Sequence, residues 1–175
     1  MLSWLGENWV ALASLIALII GGISALLRWR ESNKLKRSEF IEKFVFKFRE
    51  DKEMQETIYH LDYGKSWYGE NFHSSNSEMQ SRIDRLFIYI NYICYLKDTK
   101  IIKNEFSMVE YVIVRICKQL NTRAYLWNVY HFSQKNGVDC SFKYMIKFLL
   151  KNILTESERI SFQNKQSEFP KYLNF

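Results

Sequence analysis

The chain has 175 residues and a formal net charge of +6, and 47% of its residues are hydrophobic and 17% aromatic. This length suits one domain with a membrane anchor, and the apolar content excludes a largely disordered protein. With one proline and six glycines, the chain is poor in turn residues, so the composition predicts an all-α fold rather than many short strands.

The first predicted element is the uncharged run from Trp9 to Leu27, WVALASLIALIIGGISALL. Its nineteen residues are enough for a helix that crosses a bilayer, which needs about 18. A cleaved signal peptide is the alternative, but no Lys or Arg precedes the run and no small-residue cleavage site precedes the charges that follow it. The run therefore predicts a single transmembrane helix.

A basic junction follows this run directly. It consists of Arg28, Arg30, Lys34, Lys36 and Arg37. Glu31 is its only acidic residue, and Glu7 is the only charged side chain on the other side of the run. The positive-inside rule then predicts a single-pass protein of the inner membrane, with the N-terminus outside and the C-terminal domain in the cytoplasm. We expect the five basic residues to contact anionic lipid headgroups, and because they account for most of the net charge, nucleic acid is not an expected partner.

Small residues recur at every fourth position of the predicted span. They are Ala13, Ala17, Gly21 and Ala25. This spacing places them on one face of a helix, where two backbones can approach closely, as in associating transmembrane helices. The pattern predicts a homo-oligomer formed through this face.

Residues 36–60 are predicted to form a helix that continues from the membrane. Its apolar stripe is Phe40, Ile41, Phe44, Val45 and Phe48. No glycine or proline separates this helix from the span. The expected organisation is an anchor with its basic junction at residues 1–30, a cytoplasmic helical domain at 31–160 and a tail at 161–175.

The main irregular segment is residues 61–76, LDYGKSWYGENFHSSN. Loops on a rigid scaffold often carry function, so five of its residues are a candidate rim for a ligand: Asp62, Tyr63, Lys65, Trp67 and Tyr68. The alternative, which the sequence favours, is that the aromatic residues only close one end of a helical bundle. His60 and Asp62 are the only close His and acid pair, and we interpret His60 as a histidine at a helix end rather than as a metal ligand or general base.

The stretch LFIYINYICYL, residues 86–96, is too short for a second span, and Asn91 would lie unsatisfied in lipid at its middle. It is predicted to lie in a helix from about 77 to 97 that is the centre of the bundle. One apolar stripe on this helix is Ile83, Leu86, Phe87, Ile90, Ile93 and Cys94. The other side also carries large residues, so we expect this helix to be covered nearly all round, either as the central helix of the bundle or by completing its burial against another subunit.

Three more helices are predicted at residues 104–120, 122–135 and 140–153, the second of them ended by an Asn-Gly pair. Thr155 and Glu158 have the spacing of a capping box for one last short helix, and the aromatic tail after it is expected to fray. The predicted fold class is therefore all-α, with one N-terminal transmembrane helix followed by a cytoplasmic helical bundle of about five helices.

The sequence contains none of the common motifs for nucleotide binding, metal binding or catalysis. Its three cysteines, Cys94, Cys117 and Cys140, are widely spaced among apolar residues, which is typical of reduced core thiols rather than of zinc ligands or disulfides. We therefore predict no catalytic residue, no metal site and no cofactor.

Two segments carry a resemblance to known proteins: ALLRWRESNKLKRSEFIEKF, and IDRLFIYINYICYLKDTKIIKNEF, where an aromatic helix, a break and a second helix follow one another. Over residues 9–130 the chain resembles a loosely defined bacterial group of small, single-pass, membrane-anchored helical proteins of unknown function. Some similarly built anchored proteins are effectors of anti-phage defence, and the resemblance implies that context. It carries over no catalytic residue.

Two classes of function follow. The first is a non-enzymatic, membrane-anchored effector or binding module, which self-associates through its span, signals to or perturbs the membrane, and binds a protein or small ligand with its bundle. The second is a membrane-tethered enzyme that acts on nucleotide or lipid through the 61–76 loop. The missing acid and base constellations favour the first. Convergence of His60, Asp62, Asp84 and a lysine in one pocket would favour the second.

Overall fold

The computed structural model describes residues 8–63, 66–73, 78–165 and 168–173, apart from the side chains of Val45 and Arg49. Over these ranges the chain forms seven α-helices and one short 3-10 helix, and no strand. The prediction of an all-α protein with one long apolar N-terminal helix and a helical bundle is confirmed.

The helices run in chain order as α1 Trp9–Glu50, α2 Lys52–Tyr63, α3 Glu78–Asp98, α4 Ser107–Lys118, α5 Leu120–Asn136, α6 Lys143–Asn152 and α7 Glu156–Gln163. The 3-10 helix Asn104–Phe106 precedes α4. The chain divides into two compact units, Met1–Phe44 and Val45–Phe175. The predicted boundaries at residues 30 and 160 stay predictions.

Helix α1 has 42 residues, a length of roughly 63 Å at 1.5 Å per residue. Among the described residues it is the one helix long and apolar enough to cross a membrane. The most apolar window of this helix is not packed against the rest of the described protein, because 0% of its residues are buried. Apart from Leu12, which is half-buried, the large apolar side chains between Trp9 and Leu27 are therefore exposed.

The predicted continuous helix at 36–60 is wrong in one respect, because the structure breaks it at Asp51 between α1 and α2. The Asp51 carboxylate accepts a hydrogen bond from the Met54 backbone N–H at 3.1 Å. An aspartate that accepts from the third residue of the next helix acts as its N-cap. The side-chain amide of Gln55 also donates to the Phe48 carbonyl, so groups freed by the break find partners locally.

The second unit is built around α3, which packs against α6 and α2, while α4 packs against α2 and α5. The predicted apolar stripe of α3 is confirmed, since all six of its residues are buried. Within the described residues the chain itself does not cover α3 all round, so burial of its remaining side against another subunit stays a prediction. Ile88 is 57% and Tyr92 41% exposed, because α2 and α6 leave that side of the helix open.

Asn91, in the middle of the apolar stretch of α3, caps another helix. Its side-chain oxygen accepts hydrogen bonds from the backbone N–H groups of Tyr144 at 2.8 Å and Met145 at 3.0 Å. These groups belong to the first turn of α6, where N–H groups have no partner within their own helix. A polar residue that would be costly in lipid thus satisfies two buried donors in the bundle.

The ends of the later helices agree with their local sequence signals. Gly137 ends α5 in the left-handed conformation, with φ of 63°, as the Asn-Gly pair predicts. Thr155 and Glu158 form the predicted capping box of α7. The helix predicted at 140–153 is shorter at its start, and Phe142 precedes it as a buried residue.

Candidate functional site

Three of the four aromatic residues of the 61–76 loop pack into the bundle. Trp67, Tyr68 and Phe72 are buried. Their rings contact aromatic side chains from α3 and α5, namely Phe87 and Tyr125, at centroid distances of 5.2 to 6.2 Å. Such clusters bury large areas and gain additional energy from edge-to-face packing. The described part of the loop closes this end of the bundle.

The five residues of the predicted ligand rim are not gathered on one surface. Trp67 and Tyr68 are buried, whereas Tyr63 is 71% exposed. The ring of Tyr63 contacts that of Tyr59 in a tilted arrangement, with ring centroids 4.6 Å apart. Asp62 is engaged in a separate ion pair, and Lys65 lies outside the described residues. Tyr68 lines a cavity at the start of α5, whereas Tyr63 lines a different surface depression.

Asp62 ties α2 to α4 and to the start of α5. Its side chain is 10% exposed and lies 2.5 Å from the Arg115 guanidinium, and it accepts a hydrogen bond from the Gln119 side-chain amide at 3.0 Å. These two contacts fix the carboxylate between the helices. The sequence did not reveal this contact, because its members lie more than fifty residues apart.

A second polar group lies among the buried rings. The Tyr125 hydroxyl donates to the Asp84 carboxylate, and Tyr68 and His73 are joined by a hydrogen bond of 2.9 Å. Burial raises the pKa of Asp84, although the hydrogen bonds from Tyr125 and Gln80 act against this. Burial also lowers the pKa of His73, and it raises the pKa values of both tyrosines above their ordinary value.

His60, Asp62 and Asp84, whose convergence would favour an enzyme, each have separate surroundings. Asp62 is bound to Arg115, and Asp84 is bound to Tyr125. His60 lines a separate surface depression with Tyr59 and Tyr63, to which neither carboxylate contributes. Within the described ranges, no three His, Cys, Asp or Glu side chains are grouped as metal ligands would be.

A cavity of about 410 Å³ with polar and aromatic walls lies at the start of α5. The walls come from the 66–68 loop, α5, α7 and the C-terminal segment 168–173: Ser66, Tyr68, Leu120, Asn121, Arg123, Ala124, Leu154, Glu158, Ser161, Phe162, Glu168, Phe169, Pro170 and Tyr172. Arg123 pairs with Glu158 at 2.9 Å across it. We call this space the tail cavity.

The C-terminal segment is fixed in place, so the expectation that the tail frays is wrong for residues 168–173. Asn128, which is 0% exposed, donates to the Pro170 carbonyl at 2.9 Å. Its side-chain oxygen accepts from the backbone N–H groups of Tyr172 at 2.8 Å and Leu173 at 3.3 Å. One buried amide therefore holds three backbone groups of the tail, and a single Asn inside a helix gave no local signal of this role.

The remaining predicted site residues all lie on α1. The four small residues, Ala13, Ala17, Gly21 and Ala25, are exposed, as are the five basic residues, Arg28, Arg30, Lys34, Lys36 and Arg37. A Cβ atom added at Gly21 would have no neighbour within 4 Å. The small face is therefore free of intramolecular contacts at Gly21.

Comparisons of the chain with protein-family models, with curated proteins and with solved structures found no match.

Proposed function

We propose that this protein is a single-pass protein of the bacterial inner membrane, with its N-terminus outside, whose cytoplasmic helical bundle is a non-enzymatic binding module. Through self-association of its span, the module signals to or perturbs the membrane. In this proposal its partners are anionic lipids, a second copy of the chain, and a protein or small ligand bound by the bundle.

The observation that carries the proposal is the apolar window of α1, of which 0% is buried. Exposed side chains such as Leu18 at 74% and Ile20 at 60% would be costly in water, since each fully buried side chain of this type gains roughly 1.5 to 3 kcal/mol. A lipid environment removes that cost. The basic junction after the window supports the proposed orientation.

A binding role rather than catalysis is supported by the partners of the acidic residues in the bundle. The carboxylates of Asp62, Asp84 and Glu158 are bonded to Arg115, Tyr125 and Arg123, respectively. Each partner fixes its carboxylate within the framework of the bundle. A module for binding needs such a rigid framework around one cavity, and it needs no free acid and base pair.

The resemblance to anchored bacterial proteins adds a context to the proposal. Some similarly built proteins are effectors of anti-phage defence, and an effector that acts at the membrane would use both an anchor and a ligand-binding bundle. We extend the proposal to that setting. Comparing phage survival in cells with and without the intact gene tests this part separately.

The proposed orientation is tested by labelling single cysteines in intact cells with a membrane-impermeant thiol reagent. Cys140 is half-exposed and is first replaced by serine, whereas burial raises the pKa of Cys94 to about 12 and keeps that thiol unreactive. We expect Ser3→Cys to be labelled in intact cells and Ser167→Cys only after lysis. The reverse pattern would refute the orientation.

Self-association is tested by replacing Gly21 with isoleucine. Because no described residue lies within 4 Å of a Cβ at this position, we expect the larger side chain to act mainly on contacts with another molecule. Packing is the main attraction between helices in lipid, so we expect association to weaken by about 1 kcal/mol or more.

Leu26→Ile is the matched control, because Leu26 is also exposed but lies on the opposite side of α1 from the small face. Crosslinked dimer should decrease in the Gly21→Ile protein and stay unchanged in the control. Undiminished crosslinking of Gly21→Ile would show that the small face is not the interface.

A further inference from the structure

The tail cavity combines aromatic walls with an excess of negative charge. Four aromatic side chains line it, and two of them, Tyr68 and Tyr172, meet edge to face with ring centroids 4.9 Å apart. Phe162 and Phe169 form a second pair at 6.4 Å. Aromatic faces carry negative potential and attract cations.

The charged side chains around the cavity point to the same kind of ligand. Arg123 is the only cation among the residues that line it, and its charge is compensated by Glu158 at 2.9 Å. Both carboxylate oxygens of Glu158 are in use, because the second one accepts from the backbone N–H and the hydroxyl of Thr155. Glu168 is exposed at the edge of the cavity and forms no ion pair with any described residue. Among the residues that line the cavity, one negative charge is therefore uncompensated, which disfavours an anion such as a nucleotide.

We infer that the tail cavity binds a small organic cation with an aromatic or apolar body. The volume of about 410 Å³ lies at the lower end of the range for small-molecule pockets, roughly 300 to 1,000 Å³. The cationic group interacts with Glu168 and the ring faces, and the apolar body fills the space next to Phe162. This inference rests on the proposed function, because it assigns a ligand class to the same binding module.

The C-terminal segment forms one wall of this site. It contributes Glu168, Phe169 and Tyr172, which are the uncompensated charge and two of the four rings. Asn128 holds the segment through its three backbone hydrogen bonds. The site is therefore complete only when the tail is docked, and ligand binding stabilises the docked tail.

The test uses the full chain in uncharged detergent micelles and a pair of probes of similar size and opposite charge, benzyltrimethylammonium and benzenesulfonate. Binding is measured by saturation-transfer NMR of the probe signals. We expect saturable binding of the cation, at least about 10-fold tighter than that of the anion. Equal or tighter binding of benzenesulfonate would overturn the inference, as would the absence of saturable cation binding.

Two variants locate the site. Glu168→Gln removes the uncompensated charge and should weaken cation binding by about 3- to 10-fold. Glu156→Gln is the control, because it removes one negative charge from α7 outside the cavity and should not weaken cation binding. Ser161→Trp fills the cavity and should abolish binding. If Ser161→Trp does not fold, the comparison of Glu168→Gln with Glu156→Gln decides, and equal binding by these two proteins refutes the site.

The experiments distinguish failure of the cation-binding inference from failure of the proposed function. Labelling and crosslinking in cells report on the anchor and do not involve the cavity. If the anchor behaves as proposed and the cation does not bind, only the ligand class is wrong. If the labelling pattern is reversed while the cation binds in detergent, the proposed orientation is wrong and the cavity assignment stands.

Discussion

The first half of α1 and the middle of α3 contain similar apolar residues. Those of α1 are exposed, whereas most of those of α3 are buried in the bundle. Leu18 in α1 is 74% exposed, whereas Leu86 in α3 is 1% exposed. The window in α1 has no charged residue over nineteen residues, and its Ser14 hydroxyl donates to the Val10 carbonyl of the same helix, while α3 has ten apolar or aromatic positions interrupted by Asn91. The comparison shows that apolar content alone does not separate a candidate span from a core helix. Length and the partners of the polar residues do.

The largest expected effect comes from removing the exposed apolar segment. A fragment that begins at Ser38 keeps every residue of the second unit and lacks the window of α1. We expect it to move from the membrane fraction to the soluble fraction and to stay helical, as measured by fractionation and circular dichroism. Extraction only with detergent would show that α3 or another part of the bundle also contacts lipid, which would break the comparison.

The second-largest expected effect is the difference in stability between variants at a buried and at an exposed apolar side chain. Phe87 is 0% exposed and contacts Tyr125 and Phe142, so Phe87→Ala should lower the free energy of unfolding by about 3 to 5 kcal/mol through lost burial and a cavity. Urea unfolding monitored by near-UV circular dichroism measures this. Leu18→Ala, at an exposed position of α1, should leave the unfolding midpoint of the bundle unchanged. A large effect of Leu18→Ala would show that α1 is covered by protein.

Asn91 provides a sharper test, because it is the polar residue that distinguishes the two segments. Asn91→Leu makes α3 more apolar but removes the acceptor for the Tyr144 and Met145 N–H groups. We expect a loss of about 1 to 2 kcal/mol in the free energy of unfolding and faster hydrogen exchange at these two amides.

Asn91→Asp is the matched control. It keeps the acceptor oxygens and places a negative charge at the N-terminus of α6, where the helix dipole favours it. Its stability at neutral pH should be close to that of the unchanged protein. If Asn91→Leu is as stable as Asn91→Asp, the capping role of Asn91 is wrong.

The smallest expected effect is a pH dependence of the stability of the bundle. The uncharged window of α1 has no acidic group that could cause such an effect. Burial raises the pKa of Asp84 in the folded state, so its contribution to stability is fully present below the unfolded pKa, near 3.9. It is lost as the pH rises through the higher folded value. Asp84→Asn keeps an acceptor for Tyr125 and should gain stability relative to the unchanged protein between about pH 3 and pH 7. Urea midpoints of both proteins across this range measure the difference, and a constant difference would contradict the raised pKa.

The helices could be predicted from the sequence because their signals are local. The run from Trp9 to Leu27, the stripe of α3, the Asn-Gly end of α5 and the capping box at Thr155 each lie within one or two helical turns. The break at Asp51 was missed although its signal is also local. An aspartate inside an amphipathic pattern is equally compatible with a solvent-exposed position within a helix. Only the hydrogen bond from the Met54 backbone N–H identifies Asp51 as an N-cap.

The candidate site could not be predicted in the same way. The tail cavity joins Tyr68, Arg123, Glu158 and Tyr172, which are distant in the sequence and belong to no motif. Tyr68 was identified only as part of a rim on the loop, whereas it lines the cavity from within the bundle. Asn128, which holds the tail, looks like any other polar residue of a helix until its three backbone partners are known.

The sequence by itself determined the all-α class, the long apolar N-terminal helix and most helix positions, because hydrophobic periodicity and capping act between neighbours along the chain. The tertiary structure decided which polar groups meet. It paired Asp62 with Arg115, assigned Asn91 to the start of α6 and docked the tail on Asn128. These contacts close long loops, and buried polar groups must find a partner wherever the packing of the helices places one.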